Sequence, residues 1–270
     1  MNIVITGSTK GIGCGLGQRF LESGHMLLIN GRDETRTYNA LEKMRADFPG
    51  RTVISYTCDV SDYNSVVKMY DYAVETLGSV DIWINNAGMS QNFESFQKHD
   101  TDIMNQIIDV NIKGVLNGTR IACERMIKTG GYIYNMEGFG SDGRKMKRMS
   151  IYGMTKRALR YFTESTALEM KGTSVKIGTL SPGMVITDLL MDSIPEDPQL
   201  RANTIKIYNI LGDRVEDVTR YLVKKILENR KNGAKIAWLT TPKIMFRFLT
   251  QPFVKREIVT PKDFSSTSPT

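Results

Sequence analysis

The chain alternates short apolar runs with longer amphipathic stretches along most of its length, and this alternation constrains the fold more than any other feature. Buried parallel strands joined by crossover helices give such a pattern. Because crossovers between parallel strands are right-handed, the units wind into one sheet with helices on both faces. We therefore predict an α/β fold built on a doubly wound parallel sheet of about seven strands.

The predicted elements cover most of the chain. The strands are Asn2–Thr6, His25–Asn30, Val53–Thr57, Val80–Asn85, Gly131–Met136, Val175–Ser181 and Ala234–Leu239. The helices are Ile12–Ser23, Asp33–Asp47, Asp62–Leu77, Thr101–Thr129, Ser150–Lys171, Pro198–Leu211 and Val215–Arg230. Without a repeat or linker, residues 1–262 are expected to form a single domain, with its substrate-binding part at about 183–262 and a disordered tail at 263–270.

Composition excludes several classes of protein. No apolar run approaches the ~20 residues of a membrane-spanning helix. Three cysteines and two histidines are too few and too widely spaced for a disulfide framework or a zinc site, so we expect no metal. The first apolar run begins at Ile3 and breaks at Gly7, so no secretory signal is expected, and no plastid-type presequence is evident. We expect a cytoplasmic protein.

A glycine-rich loop follows the first strand and opens the first helix. Glycines let the backbone approach a pyrophosphate, whose charge is then held by amides at the helix N-terminus. The spacing, with glycines at 7, 11 and 13, departs from Gly-x-Gly-x-x-Gly, and a merely structural turn is the alternative. We predict nucleotide binding by Gly7, Ser8, Thr9, Lys10, Gly11, Ile12 and Gly13.

The end of the second strand selects between NAD(H) and NADP(H). A carboxylate there binds the ribose 2′-hydroxyl, whereas an arginine accommodates a 2′-phosphate. Here Arg32 follows the strand, so NADP(H) is favoured. The alternative is that Arg32 is a solvated charge and Asp33 takes the acidic role, although Asp33 is better placed to cap the next helix.

Several motifs occur in an order that resembles the short-chain dehydrogenase/reductase family. They are Thr6-Gly7-x-x-x-Gly11-x-Gly13, Cys58-Asp59-Val60, Asn85-Asn86-Ala87-Gly88, Asn111, Tyr152-x-x-x-Lys156 and Ser181-Pro182-Gly183. The resemblance implies a single-domain Rossmann enzyme, commonly a dimer or tetramer, that acts on a small-molecule carbonyl compound. It also implies that Asp59 and Val60 lie by the adenine, that Asn86, Ala87 and Gly88 back the cofactor, and that the nicotinamide is covered by Pro182, Gly183, Val185 and Thr187.

Tyr152 and Lys156 are the predicted catalytic pair. Four residues apart on one predicted helix, they lie on the same face. A phenol has a pKa near ~10, and we expect the neighbouring ammonium to lower it. Tyr152 would then donate a proton to the carbonyl oxygen as hydride arrives from the nicotinamide, and Lys156 would also hold the ribose. Asn111 matches the family asparagine that helps to hold a proton-relay water.

The catalytic serine of the family has no obvious counterpart. By its position after the fifth strand, Glu137 stands where the serine is expected. Ser141 is the only side-chain hydroxyl between Tyr134 and Met149, and it is our candidate for polarising the substrate carbonyl. Glu137 is then either a structural contact or a carboxylate that acts on a particular substrate.

Longer stretches resemble the chlorophyll b reductase branch of the family. They are residues 135–141, 152–160, 181–190 and 233–244. Enzymes of this branch reduce the ring formyl group of chlorophyll b with NADPH, next to thylakoid membranes. The alternatives are a bacterial relative that reduces another aldehyde or ketone, and a non-catalytic NADP(H)-binding sensor.

The net charge of +7 is concentrated at the C-terminal end, since residues 201–270 hold 14 basic and six acidic side chains. Between Arg230 and Arg256 there are seven basic and no acidic residues, interleaved with aromatic ones. Such a segment suits contact with a membrane surface. It also suits packing on another subunit or a pocket, with solvated charges. No nucleic-acid-binding signature is present, and we expect a homo-oligomer without a nucleic-acid partner.

Overall fold

The computed structural model describes residues 1–191, 194–195 and 197–259. The predicted tail at 263–270 lies outside the described residues. The strands are β1 (Asn2–Ile5), β2 (Met26–Gly31), β3 (Val53–Thr57), β4 (Ile82–Asn85), β5 (Gly131–Met136), β6 (Val175–Ser181), β7 (Met184–Val185), β8 (Gly212–Asp213) and β9 (Ala234–Ala237). The helices are α1 (Gly11–Glu22), α2 (Glu34–Asp47), α3 (Tyr63–Leu77), α4 (Thr101–Ile108), α5 (Gly114–Met126), α6 (Ser150–Glu169), α7 (Asp188–Met191), α8 (Pro198–Leu211), α9 (Val215–Glu228) and α10 (Thr241–Thr250).

Seven strands form one parallel sheet in the order β3-β2-β1-β4-β5-β6-β9, which confirms the predicted single-domain α/β Rossmann fold. The chain winds outward from β1 through β2 to β3, then returns to the other side of β1 with β4. Ile5 of β1 pairs with both Ile29 and Ile84, so the carboxyl ends of three neighbouring strands meet at one edge of the sheet. The crevice at such a reversal of strand order is where open α/β sheets bind ligands.

Alternate side chains of β1, which lies between β2 and β4, enter two separate cores. Ile3 and Ile5 pack with α1 and α9 on one face, whereas Val4 packs with α3 and α5 on the other. Because both faces are covered, the strand carries no polar alternation and is fully buried. This rigid centre fixes the positions of the loops at the carboxyl ends of the strands.

The predicted helix Thr101–Thr129 differs from the structure in its middle. It is divided into α4 and α5 by a π turn at Asp109–Lys113, and α5 ends at Met126. A π turn inserts one extra residue per turn and is frequent at functional sites. Asn111 lies in the middle of this π turn and is fully buried.

The C-terminal region contains elements that the sequence pattern does not predict. The short strands β7 and β8 pair with each other outside the main sheet, and the last strand ends at Ala237 rather than Leu239. Residues 241–250 form α10, which begins after Thr240 with a proline in its first turn. Among the described residues, no helix is both long and apolar enough to span a bilayer.

Candidate active site

The glycine turn is packed directly against the end of β4. Gly7 has φ +60°, and a Cβ on it would lie 2.6 Å from the Cα of Ala87. The Asn86 side-chain amide donates to the carbonyls of Thr6 and Gly7 at 2.9 and 2.8 Å. In return, the Thr6 hydroxyl accepts from the backbone amides of Asn86 and Ala87. Only glycine fits this turn, and the Asn-Ala motif holds it in place.

Helix α1 begins at the glycine turn and leaves its first amides available. Its N-cap residue, Lys10, makes no side-chain hydrogen bond to the first turn. The first amides of a helix have no intrahelical partner, and together with the helix dipole they attract an anion. Gly13 keeps the turn close-packed, because a Cβ there would lie 2.4 Å from the Asn86 amide nitrogen. These features fit a dinucleotide pyrophosphate.

A cavity of about 1280 Å³ lies over the carboxyl ends of the strands. Pockets for drug-sized ligands span roughly 300–1,000 Å³, so this one has room for a dinucleotide and a second molecule. Most predicted site residues line it: Gly7, Thr9, Lys10, Gly11, Ile12, Arg32, Asp59, Val60, Asn86, Ala87, Gly88, Ser141, Tyr152, Lys156, Pro182, Gly183, Val185 and Thr187.

Ser8, Gly13 and Asn111 are not part of the cavity wall. The buried Ser8 hydroxyl donates to the Ile5 carbonyl at 2.6 Å and accepts from the backbone amide of Asn30 at 2.9 Å. Ser8 therefore ties the glycine turn to β2.

The structure distinguishes the two candidate residues for cofactor choice. The Asp33 carboxylate accepts from the Arg36 backbone amide at 2.7 Å and caps α2, which confirms the capping role. Arg32 is exposed and lines the cavity. Farther along, the Asp59 carboxylate accepts from the amide and hydroxyl of Ser61 at 2.8 and 2.7 Å, which fixes its orientation at the cavity wall.

Tyr152 and Lys156 lie side by side on α6. The Lys156 Nζ is 5.7 Å from the centroid of the Tyr152 ring and donates to the Met136 carbonyl at 3.1 Å. Burial raises the pKa of Tyr152 to about 12. Burial also lowers the pKa of Lys156 to about 8, against the opposing effect of the Glu137 carboxylate.

The expectation that Lys156 lowers the pKa of Tyr152 is therefore wrong for this structure. Desolvation of the phenol outweighs the ammonium, whose Nζ is directed at a backbone carbonyl rather than at the hydroxyl. At neutral pH Tyr152 is protonated, which is the state that a proton donor needs.

Asn111 connects the π turn to α6. Its amide nitrogen donates to the Met89 carbonyl at 2.9 Å and to the Thr155 hydroxyl at 3.1 Å, and its oxygen accepts from the Met89 amide at 2.7 Å. The Thr155 hydroxyl in turn donates to the Tyr152 carbonyl at 2.7 Å. Asn111 thus fixes the loop after β4 relative to the turn of α6 that carries the tyrosine.

Ser141 and Glu137 contact each other. The Ser141 hydroxyl donates to a Glu137 carboxylate oxygen at 3.3 Å, and the Nζ of Lys235 lies 3.6 Å from the same oxygen. Glu137 is 4% exposed, and its second carboxylate oxygen is buried without a partner among the described residues. The two residues that the sequence offers as alternatives therefore occupy one cluster at the cavity wall.

Gln91 and Gly138 belong to the site although no motif marks them. The buried Gln91 side chain accepts from the Tyr152 amide at 2.7 Å and donates to the Arg148 carbonyl at 2.9 Å, which fixes the start of α6. Gly138 lies against the tyrosine, because a Cβ there would be 2.3 Å from the phenol oxygen. Neither contact follows from spacing, since both join residues far apart in sequence.

Apart from the predicted cofactor-binding residues and the Tyr-Lys pair, the cavity wall is mainly apolar. Its wall includes bulky side chains such as Met89, Phe93, Phe139, Met184, Leu189 and Ile244. No cluster of three or more His, Cys, Asp or Glu side chains suited to a metal ion occurs in the described part of the chain. The site thus joins a nucleotide-binding crevice to a Tyr-Lys pair and a wide apolar chamber.

Comparison with known families agrees with this geometry. Residues 1–198 match the sequence profile described as short chain dehydrogenase. The chain belongs to the short-chain dehydrogenase/reductase family. Among solved structures, this short-chain dehydrogenase resembles the closed form of serine dehydrogenase complexed with NADP+, with a TM-score of 0.77 and 24% identity over 90% of this chain and 96% of that one.

Curated relatives place this short-chain dehydrogenase in the branch with chlorophyll(ide) b reductases. It is 34% identical over 269 residues to the probable chlorophyll(ide) b reductase NYC1, chloroplastic, of Arabidopsis thaliana, covering 92% of this chain and 52% of the relative. It is 36% identical over 232 residues to the chlorophyll(ide) b reductase NOL, chloroplastic, of the same plant, covering 83% and 65%. The chain thus spans only about half to two thirds of these relatives. Because they are chloroplastic, the predicted cytoplasmic location is wrong.

Proposed function

We propose that this protein is an NADPH-dependent reductase that converts an aldehyde or ketone to an alcohol. The observation that carries the proposal is the placement of Tyr152 and Lys156 on the wall of the cavity that the glycine turn also lines. When bound, NADPH supplies the hydride. The chain itself supplies the proton and the charge that stabilises its transfer.

Tyr152 delivers its hydroxyl proton to the carbonyl oxygen as the oxygen becomes negatively charged. With a pKa of about 12, the phenol is fully protonated at neutral pH. Lys156, with a pKa of about 8, is mostly charged at the same pH and stabilises the phenolate that forms. The one hydroxyl proton of Ser141 is directed at the Glu137 carboxylate, so in this arrangement the hydroxyl does not donate to the substrate carbonyl.

The proposed cofactor is NADP(H) rather than NAD(H). Arg32 stands at the end of β2, exposed and on the cavity wall, where an arginine accommodates a 2′-phosphate. Asp33, the residue that would otherwise take a ribose 2′-hydroxyl, is engaged as the cap of α2. The charge at this position therefore favours the phosphorylated dinucleotide.

The proposed substrate is a bulky, largely apolar carbonyl compound, bound by the C-terminal part of the domain from residue 183 onward together with the loops after β4 and β5. The wide chamber beyond Tyr152 and its methionine and phenylalanine walls support this assignment. The ring formyl group of chlorophyll(ide) b is our first candidate, by analogy with the relatives in this branch. A smaller lipophilic aldehyde or ketone is the second.

A panel assay tests the proposal. Purified protein is mixed with NADPH and, separately, with chlorophyllide b, bulky lipophilic aldehydes and small hydrophilic ones, and cofactor oxidation is followed. We expect turnover that favours the bulky apolar members. NADPH binding without turnover on any member would instead support the non-catalytic sensor.

We further propose a homo-oligomer assembled through α6. Met154, Tyr161 and Leu168 are at least half exposed and recur every seven residues, so they form one apolar stripe on the helix. Light scattering after size exclusion is expected to give a multiple of 30.5 kDa. Replacing Tyr161 and Leu168 by glutamate is expected to give monomers, and an unchanged mass would exclude this face.

We also propose that the C-terminal region contacts an anionic membrane surface. Phe246, Leu249 and Phe253 are between 65% and 88% exposed, and Lys255 is exposed beside them. Apolar side chains with neighbouring cations suit shallow insertion among anionic lipids. Co-sedimentation with anionic but not zwitterionic liposomes is expected, and its absence would remove this proposal.

A further inference from the structure

One buried carboxylate in the C-terminal region accepts hydrogen bonds from two arginines and one indole. Asp213, at the end of β8, accepts from the Trp238 indole at 2.7 Å. It accepts from Arg247 through both guanidinium nitrogens at 2.8 Å, and from Arg256 at 2.9 Å. Charge-assisted, bidentate pairs of this kind are stronger and more directional than neutral hydrogen bonds. The two arginines are thus turned toward the protein interior, not toward a partner.

The same contacts join four segments of the chain. Arg247 also donates to the Leu211 carbonyl at 2.9 Å, and Arg256 to the carbonyls of Ile210 and Gly212 at 2.6 and 2.8 Å. The indole comes from the residue that follows β9. Asp213 therefore connects the end of α8, the edge strand, α10 and the segment after α10.

Two elements that Asp213 contacts border the cavity, namely β7 and α10. Val185 of β7 pairs with Asp213 itself, and β7 follows directly on the Pro182–Gly183 turn that lines the cavity. On the other side, Thr241 and Ile244 of α10 also form part of the cavity wall. A movement of Asp213 would therefore reach the cavity wall through both β7 and α10.

Helix α10 depends on this carboxylate because the helix places a charged side chain toward the protein and apolar side chains toward solvent. None of its ten described residues is buried, and Phe246 and Leu249 face outward. The side chain of Arg247 is only 11% exposed and points inward. An amphipathic helix is normally docked by its apolar face. Here the ion pair with Asp213 takes that role.

We propose that Asp213 is a positioning residue of the substrate site, which holds α10 and β7 in place as the roof and edge of the chamber. The inference rests on the proposed reductase function for its kinetic consequences, but its structural part stands apart from it. Asp213 does not touch the reacting atoms, so it acts on substrate binding and not on the proton-transfer step.

Asp213→Asn is the test variant. Each carboxylate oxygen accepts from two donors, one of them on Arg247. An amide nitrogen in place of either oxygen is itself a donor, so Arg247 loses one of its two hydrogen bonds to residue 213 in either orientation of the amide. The control is Asp217→Asn, because Asp217 is an exposed acidic residue in the first turn of α9. The first readout is amide hydrogen exchange, which needs no substrate.

In Asp213→Asn, we expect the amides of residues 241–250 to exchange at least tenfold faster, with β1 and β4 unchanged. Wild-type exchange in α10, or equal loss of protection across the whole sheet, would overturn the proposal.

With the carbonyl compound that the wild type reduces best, KM is expected to rise about tenfold while kcat and the Kd of NADPH stay within twofold. A matching loss of NADPH affinity would also overturn it, and Asp217→Asn is expected to change none of these values.

If the wild type reduces no carbonyl compound, the proposed function fails by itself. The exchange experiment then decides separately whether Asp213 holds the roof of the chamber.

Discussion

The contact between Gly138 and Tyr152 gives the most specific prediction about catalysis. A Cβ at position 138 would lie 2.3 Å from the phenol oxygen and 3.2 Å from Lys156 Cγ, whereas ordinary contacts begin at 3.4 Å. In Gly138→Ala, the Tyr152 phenol oxygen must therefore move about 1 Å away from the new methyl group. A misplacement of ~1 Å at a reacting group can cost about 100-fold in rate, or roughly 2.7 kcal/mol of activation free energy.

The assay is NADPH oxidation with the best substrate of the panel, together with NADPH binding by fluorescence. We expect kcat of Gly138→Ala to fall about 100-fold while the Kd of NADPH changes little, since the glycine turn is untouched. Gly153→Ala on α6 is the matched control, because its Cβ meets nothing closer than 4.0 Å. Alanine favours a helix by up to ~1 kcal/mol, so this variant is expected to be at least as stable and fully active. Wild-type kcat in a folded Gly138→Ala protein would refute the geometry of the site.

Three further predictions concern the same cavity. Tyr152→Phe removes the proton donor, so turnover is expected to fall by about 10²- to 10⁴-fold with NADPH binding intact, and near-normal turnover would contradict the mechanism. Arg32→Ala is expected to weaken NADPH binding at least tenfold and NADH binding little, measured by titration; equal losses would exclude the 2′-phosphate contact. The value of kcat/KM for reduction is expected to fall as pH rises through about 8, because Lys156 then loses its charge while Tyr152 keeps its proton. Glu137→Gln is expected to move this decline to lower pH, and a flat profile would argue against the role of the lysine.

The sequence predicts the nucleotide half of the molecule well because local rules and tertiary packing agree there. The strand before Gly7 is apolar and buried on both faces, and the glycine itself is required by a positive φ and by Ala87. Asp33 is a helix cap in both the pattern and the structure. Where each local preference agrees with the global fold, a sequence pattern is sufficient.

The sequence predicts the catalytic details less completely, because they depend on contacts between distant residues. The spacing of Tyr152 and Lys156 places them on one face but does not reveal that burial dominates their pKa values. The π turn around Asn111 breaks the 3.6-residue period without a composition signal. The contact of Ser141 with Glu137 depends on how the loop after β5 folds.

The basic C-terminal region shows a different reason for an incomplete prediction. Its positive charge suggests an external partner, but Arg247 and Arg256 bind the buried Asp213 and Lys235 lies near Glu137. Phe246 and Phe253 are 65% and 88% exposed in the single chain, so their packing on another subunit stays a prediction. Net charge describes a segment as a whole and cannot indicate which way each side chain points.

The proposed function depends on hydride transfer from NADPH to a carbonyl carbon. The most direct measurement is mass spectrometry of the product formed from chlorophyllide b, or from the best aldehyde of the panel, with NADPH deuterated on the transferred position of the nicotinamide. We predict an alcohol that carries one deuterium on the former carbonyl carbon. An alcohol without deuterium, or no alcohol with any member of the panel, would contradict the proposed function.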